Sequence, residues 1–431
     1  MHGALYCLHR EMRDRPAVSM TAAVLAWSLS AVGSGCGRYT DTGDSMSMRQ
    51  GGMGNASGRV SARTSAAGAA DVASAARNGQ AAPCDAPWAF RTPVVSPGLA
   101  HWLVHDDGIL KIWSDDVETD PPLHAVCIDD EGRTVGGAAT VIKGQRPDAP
   151  VLAARHADGT FTVLYSTNDG EQTPLHTVFR REFGCDTGWS APVVALGAAL
   201  ERYPTSVVDV GGDAVFAATS NHGITLVSST FGGGQGIEVD SSEYGATALG
   251  FNGSELALFN TGSHGDTYFS VWRLDGSKVL SPTPLPGVRR IPASTCWDGD
   301  AWSVAFEVEE NEVAYGRLES NGSWRLAPRR ISDGLAHSNF PSVGCGTAGT
   351  FVTWMHSHAV LANGLRGTAI AVNQVGDRGE ALFGPVDLEP VDGFSMAPTV
   401  SSGRRVVVGW GSYGYSGYET RSQVGDRCDQ R

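Results

Sequence analysis

A strand–turn–strand unit recurs along this chain, and it restricts the fold more than anything else in the sequence. The stretch "FPSVGCGTAGTFVTWMHSH" (340–358) resembles "APVLAARHADGTFTVLYSTND" (149–169) and "APTVSSGRRVVVGWGSYGY" (397–415). Looser copies are "RYPTSVVDVGGDAVFAATSNH" (202–222), "GATALGFNGSELALFNTGSHG" (245–265) and "IPASTCWDGDAWSVAFEVEEN" (291–311). Each opens with a short strand, often behind a proline, turns at Gly or Asp, and enters a strand of alternating apolar residues. Such alternation puts apolar side chains on one sheet face, while Gly, Asp and Asn make the turns.

A third strand follows in each copy, as in "TYFSVWRLDGS", "EVAYGRLESNGS" and "TAIAVNQVGDRGE". A Gly-containing turn then leads to a fourth, such as "WSAPVVALG", "WRLAPRRIS" or "ALFGPVDLEP". Four antiparallel strands recurring every 40 to 60 residues or so describe a β-propeller blade. No unit contains a helix-length segment of 3.6-residue periodicity, which excludes helical solenoids. Complete sets begin near Pro97, Pro150, Pro204, Gly245, Pro292 and Pro341, and the last, from Pro398, has three strands before Arg431. The lone strand in "CDAPWAFRTPVVSP" (84–97) resembles the fourth strand "GWSAPVV" of the second copy. It is therefore expected to complete the seventh blade and leave no sheet edge open. The predicted fold is all-β: a seven-bladed propeller of four-stranded antiparallel blades over 84–431, closed by its N-terminal strand.

The segment before it has a different character. Arg10, Arg13 and Arg15 precede "AVSMTAAVLAWSLSAVGSG", a short apolar core ending in small residues, so 1–36 read as an export signal. Its end, "AVGSGC", resembles a bacterial lipoprotein signal and implies lipidation at Cys36; an ordinary cleaved secretory signal is the alternative. Residues 37–83 have almost no aromatic or branched aliphatic content, which predicts a flexible tether. The expected location is an outer-membrane-anchored lipoprotein, periplasmic or surface-facing, and otherwise a secreted protein. A net charge of −14 argues against nucleic acid or an anionic bilayer as partner.

With Cys7 removed and Cys36 lipidated, six cysteines remain, an even set that suits disulfides in an exported chain. Ring closure brings Cys84, at the start of the first strand, beside Cys428, at the end of the last. Cys296 and Cys345 each lie four residues after the strand-opening proline of neighbouring blades, which would let them face each other. Cys127 and Cys185 remain by elimination.

The turns "CDTGW" (185–189) and "SNGSW" (320–324) resemble degenerate Asp boxes of sialidase-like propellers. That resemblance implies that Asp186 and Asn321 form turns remote from any ligand and that Trp189 and Trp324 pack between blades. Sialidases of that fold use three arginines for the substrate carboxylate, a Tyr–Glu nucleophilic pair and an acid/base Asp, with the first arginine in a Phe/Tyr-Arg-Ile-Pro motif. Here "FRTP" holds Arg91 and "RRIP" holds Arg290, but no Tyr–Glu pair can be placed.

In a propeller the loops entering each first strand share a face with those joining second to third strands. That face is expected to collect Arg146, Arg202 with Tyr203, Arg289 with Arg290, and His337 from the first set. Asp115, Asp116, Asp169, His222, His264, His356, His358, Tyr413, Tyr415 and Tyr418 come from the second. The ligand-binding candidates are Arg146, Arg202, Tyr203, Arg290, His356, Tyr413, Tyr415 and Tyr418. Tyrosines on exposed loops can stack on sugar rings or anchor a protein, and "GSYGYSGY" (411–418) is the best single segment. "HSH" (356–358) could supply two metal ligands, but alternate strand residues point to opposite faces; no metal and no cofactor is expected. The expected role is non-catalytic binding of a glycan or protein partner at the cell envelope. Sialidase-type hydrolysis and a scaffold subunit of an envelope complex are the alternatives.

Overall fold

Strands that bury both faces must be apolar on both, and the second strands here are. "AVFAATS" (214–220) is buried at every residue, and "WSVAFEV" (302–308) at all but the last. In a computed structural model they lie second from the centre of seven antiparallel sheets. The structure describes residues 87–428 apart from 92–93, 98–100, 106–107, 115–122, 130–132, 143–150, 169–174, 201–202, 221–222, 230–235, 240–246, 263–265, 287, 289–293, 309–311, 333, 335–336, 361–365, 389–393, 396–397, 404 and 415–416. Among the described residues there is no α-helix, and none long and apolar enough to cross a membrane.

Six blades are continuous in sequence: His101–Ile142, Leu152–Leu200, Tyr203–Val239, Thr247–Pro284, Ser294–Arg330 and Ser338–Asp387 (blades 1 to 6). Blade 7 takes its inner strands from Phe394–Ser395 with Thr399–Ser402, then Val406–Gly414 and Gly417–Arg427. Its outer strand comes from the other end of the chain. Trp88–Phe90 and Val94–Pro97 pair antiparallel with Gly417–Arg427, in the register Trp88↔Arg427, Phe90↔Gly425 and Val94↔Ser422. The lone strand thus pairs where the repeat count places it.

Side chains fasten this closure. Trp88 is buried, meets Phe351 of blade 6 edge-on at 5.2 Å, and donates from Nε1 to Gln374 Oε1 at 3.0 Å. Arg91 binds Asp426 through Nε at 2.8 Å, and Arg405 reaches the same carboxylate at 3.2 Å. The Cys428 N–H donates to the Pro87 carbonyl at 3.0 Å, and Cys428 is disulfide-bonded; Cys84 lies outside the described residues.

The core is divided among the seams between blades. Phe259, Phe306, Trp354 and Trp410, at similar places in the second strands, are all at most 2% exposed. Trp189 and Trp324 cover the cluster of blades 1 and 2 and that of blades 4 and 5, respectively. Two seams carry a covalent bond as well. Cys127–Cys185 links blade 1 to blade 2, and Cys296–Cys345 joins the first strands of blades 5 and 6.

Two segments read as loops are strands. Residues 356–358 lie within Gly349–Val360, which pairs with Arg366–Val375. Within "GSYGYSGY" the backbones of Tyr413 and Tyr418 are direct partners, next to Gly414↔Gly417, so residues 411–414 and 417–418 belong to paired strands. Backbone pairing tolerates polar side chains, and Tyr and Thr favour strands.

Candidate functional site

First strands run away from the face where each blade is entered, so the turns after first and third strands gather on the opposite face. Those turns are closed by short side chains. Asp158, Asn252 and Asp298 accept backbone N–H groups of Thr160, Ser254 and Asp300 at 2.9, 2.9 and 3.1 Å. Asp275 and Asn321 do the same for Ser277 and Ser323, both at 2.8 Å. These Asx turns mimic a backbone turn. Asn321 therefore closes a turn, with Gly322 at φ +82 beside it, where a side chain would be strained.

The same face holds an ionic network between blades 2 and 3. His156 is 5% exposed, with Nδ1 2.5 Å from Asp209 Oδ1 and Nε2 2.7 Å from Thr162 Oγ1. Thr162 Oγ1 donates to Glu182 at 2.9 Å, and Arg180 bridges Glu182 and Asp213 at 2.9 and 2.7 Å. Acid, imidazole and hydroxyl in line have the order of a hydrolytic triad. Thr162, however, is fully buried and bonded to a carboxylate, so this cluster fastens two blades. Between the third strand of blade 5 and its first turn, Arg317 forms a fork with Asp298, at 2.7 Å from Nε and 2.9 Å from Nη2.

The loop face has different chemistry. Tyr203, at the start of blade 3, bonds through its hydroxyl to His176 Nε2 of blade 2 at 2.9 Å, the rings 4.4 Å apart. His356 Nδ1 lies 2.8 Å from Asp387 Oδ1 within blade 6. Glu307, 7% exposed, accepts the Phe340 N–H at 2.9 Å, and Phe340 holds φ 54, a left-handed value that is strained for a bulky residue. The strain coincides with a register shift between Asn339 and Ser342 in the first strand of blade 6.

Between blades 3 and 4 the described residues at the loop end of the seam meet through hydroxyls. Thr247 Oγ1 lies 2.7 Å from both Thr205 Oγ1 and Ser206 Oγ, and Thr205 Oγ1 donates to the Ala217 carbonyl at 3.2 Å. Asn260, the cross-strand partner of Thr247, is fully buried, and neither its Oδ1 nor its Nδ2 has a hydrogen-bond partner. Neither Asn260 nor Glu307 follows from a motif. The available signal was a polar residue at the end of an otherwise apolar second strand, in "ELALFNT" and "WSVAFEV".

Of the ligand-binding candidates, the structure gives Tyr203 and His356 these positions on different seams. Arg146, Arg202, Arg290 and Tyr415 lie outside the described residues, as do the side chains of Tyr413 and Tyr418. Among the described residues no group of three or more His, Cys, Asp or Glu is arranged to hold a metal. Arg91, the arginine of "FRTP", sits at the outermost strand of blade 7 in its ion pair with Asp426.

No family model matches the chain, and no curated protein matches it. Solved structures do. The BP39L lectin from Burkholderia pseudomallei aligns over 78% of this chain and 95% of its own, at 14% identity and a TM-score of 0.52. The β-propeller domain of the Trilobed protease from Pyrococcus furiosus aligns over 77% and 98%, at 8% identity and a TM-score of 0.45. A subtype N11 neuraminidase-like protein of an A/flat-faced bat/Peru isolate aligns over 65% and 90%, at 11% identity and a TM-score of 0.40. At 14% identity the likeness to the lectin is one of fold.

Proposed function

We propose that this protein is a non-catalytic binding protein of the cell envelope, whose propeller takes a glycan at its loop face. In this reading the chain is exported through 1–36, anchored by lipid on Cys36 and held off the membrane by 37–83. The disulfides support export, since they persist in oxidising compartments.

The observation that carries the reading is the place of Arg91. A sialidase-type hydrolase needs its motif arginine free and central, to grip a substrate carboxylate through both guanidinium edges. Of the two motif arginines, Arg91 has its guanidinium on Asp426 at the outer edge of blade 7, and Arg290 lies outside the described residues. Hydroxyl, amide and phenol groups on the loop face of blades 2 to 4 suit hydroxylated ligands instead. A propeller by itself hosts many functions, and the likeness to a lectin contributes only the fold.

A glycan array probed with the purified full chain, neutral and acidic sugars side by side, tests this. Selective binding without release of sugar from a fluorogenic sialoside is the expected result. Turnover of the sialoside would restore the hydrolase. A blank array would overturn glycan binding and leave the scaffold role.

A further inference from the structure

Asn260 poses a physical problem that folding does not solve. A buried amide with no partner costs about 1–3 kcal/mol for each group left unpaired, and native proteins pair the great majority of such atoms. Asn260 leaves both its acceptor and its donor unpaired at zero exposure. Its neighbour Thr247 is engaged elsewhere: Thr205 donates to the Ala217 carbonyl and accepts from Thr247, which accepts from Ser206, and no bond joins Thr247 to the amide.

The surroundings define what would pair with it. Leu256 and Leu258, on the same face of the strand Glu255–Thr261, pack with Val215, Ala217 and Leu226. Asn260 is in phase with them, so it too is turned to blade 3. Its cross-strand partner on the outer side is Tyr268, half-buried and on the same sheet face. Across the seam lie Ile224 and Val239 of blade 3. Thr205, Thr247, Ile224, Val239 and Tyr268 carry no charge, and burying an ion among them would be costly. An amide beside an aromatic ring and these uncharged neighbours matches a group that both donates and accepts, next to an apolar face. Adjacent hydroxyls on a neutral sugar ring have that form. One hydroxyl accepts from Nδ2 while the next donates to Oδ1.

We infer that the seam between blades 3 and 4 is a saccharide site, in which Asn260 clamps two adjacent hydroxyls of a neutral sugar and Tyr268 covers the ring. This rests on the glycan-binding reading and gives it a place. Asn260 has no exposed atom, so the sugar enters by displacing the Tyr268 ring.

The test uses the full chain and the neutral glycan that scores highest on the array. Affinity is measured by calorimetry for the wild type, Asn260→Leu and Tyr268→Ala, and the melting midpoint of each is measured without sugar. The expected result is at least a tenfold loss of affinity in both variants. The midpoint of Asn260→Leu should be unchanged or raised, because an apolar side chain of similar size removes the unpaired amide. Wild-type affinity in Asn260→Leu overturns the site and leaves glycan binding standing elsewhere on the molecule. A lowered midpoint with unchanged affinity marks a buried water as the only occupant and also overturns it. Should the Leu variant fail to fold, Tyr268→Ala decides, and undiminished binding there sinks the inference. If the wild type binds no glycan, the functional reading itself falls.

Discussion

Single charged residues set much of the stability of this ring. Arg317 and Asp298 are 5% and 9% exposed and bonded through two nitrogens. Burial alone would raise the Asp298 carboxyl, but bonds from Arg317, the Ala301 N–H and the Ser303 hydroxyl outweigh it and hold the group below its ordinary value. Removing one partner strands a buried charge, so Asp298→Asn should cost about 3 kcal/mol in denaturant unfolding. A lowered carboxyl contributes stability above its unfolded value of 3.8 that is lost as pH falls through the folded one. The wild-type midpoint should therefore drop below about pH 4 more steeply than that of the variant. Lys111 behaves in the opposite sense. Burial pushes it from 10.5 down to about 8, so the native state binds fewer protons over that window and stability rises with pH through it. Lys111→Met should lack that rise in the melting midpoint between about pH 8 and pH 10.5. None of these pairings was legible in sequence. Asp298 and Arg317 are 19 residues apart and His156 and Asp209 are 53 apart, and no spacing rule connects a turn to a third strand of its own blade or to a neighbour across a seam.

At the scale of strands the sequence was more informative, because period-two alternation and turn chemistry are local signals. The closing strand was found by its likeness to "GWSAPVV", and its register then follows from burying Trp88 and Phe90 against blade 6. Phe90 stacks on Phe383 at 6.4 Å. Trp88→Ala should cost about 3–5 kcal/mol, as for other large core truncations. Hydrogen exchange in that variant should speed first at Gly425–Arg427, the residues paired with Trp88–Phe90. Uniform acceleration around the ring would contradict a local clasp. What misled the eye was polarity. "MHSH" and "GSYGYSGY" lack the apolar alternation of a strand, yet their backbones pair to the hairpin ends. The candidate site suffered in the same way. Asn260 was invisible because one polar residue in "ELALFNT" looks like the end of a strand, and only the fold shows it as buried.

For the whole molecule, two disulfides between described residues and the closing strand divide the labour of holding a ring. Cys127–Cys185 and Cys296–Cys345 span 58 and 49 residues, and chain-entropy reasoning assigns each about 4 kcal/mol. Reduction should lower the melting midpoint markedly while far-ultraviolet circular dichroism keeps its β signature below the transition. Full unfolding on reduction at 25 °C would mean that the apolar seams are weaker than their burial implies.

The strand pairing of blade 7 also dictates an order of events in time. Arg91 and Asp426 are 335 residues apart, and closing a free chain of that length costs about 5 kcal/mol in entropy. Blades 1 to 6 need no such closure, since each forms from its own stretch of chain and carries the two ends towards each other. Only the first strand must wait for the last. From the moment it leaves the ribosome until the final residues follow, it is an unpaired edge of the kind that recruits other chains. Whatever attends this chain during its synthesis has to keep that edge covered until the last strand has formed.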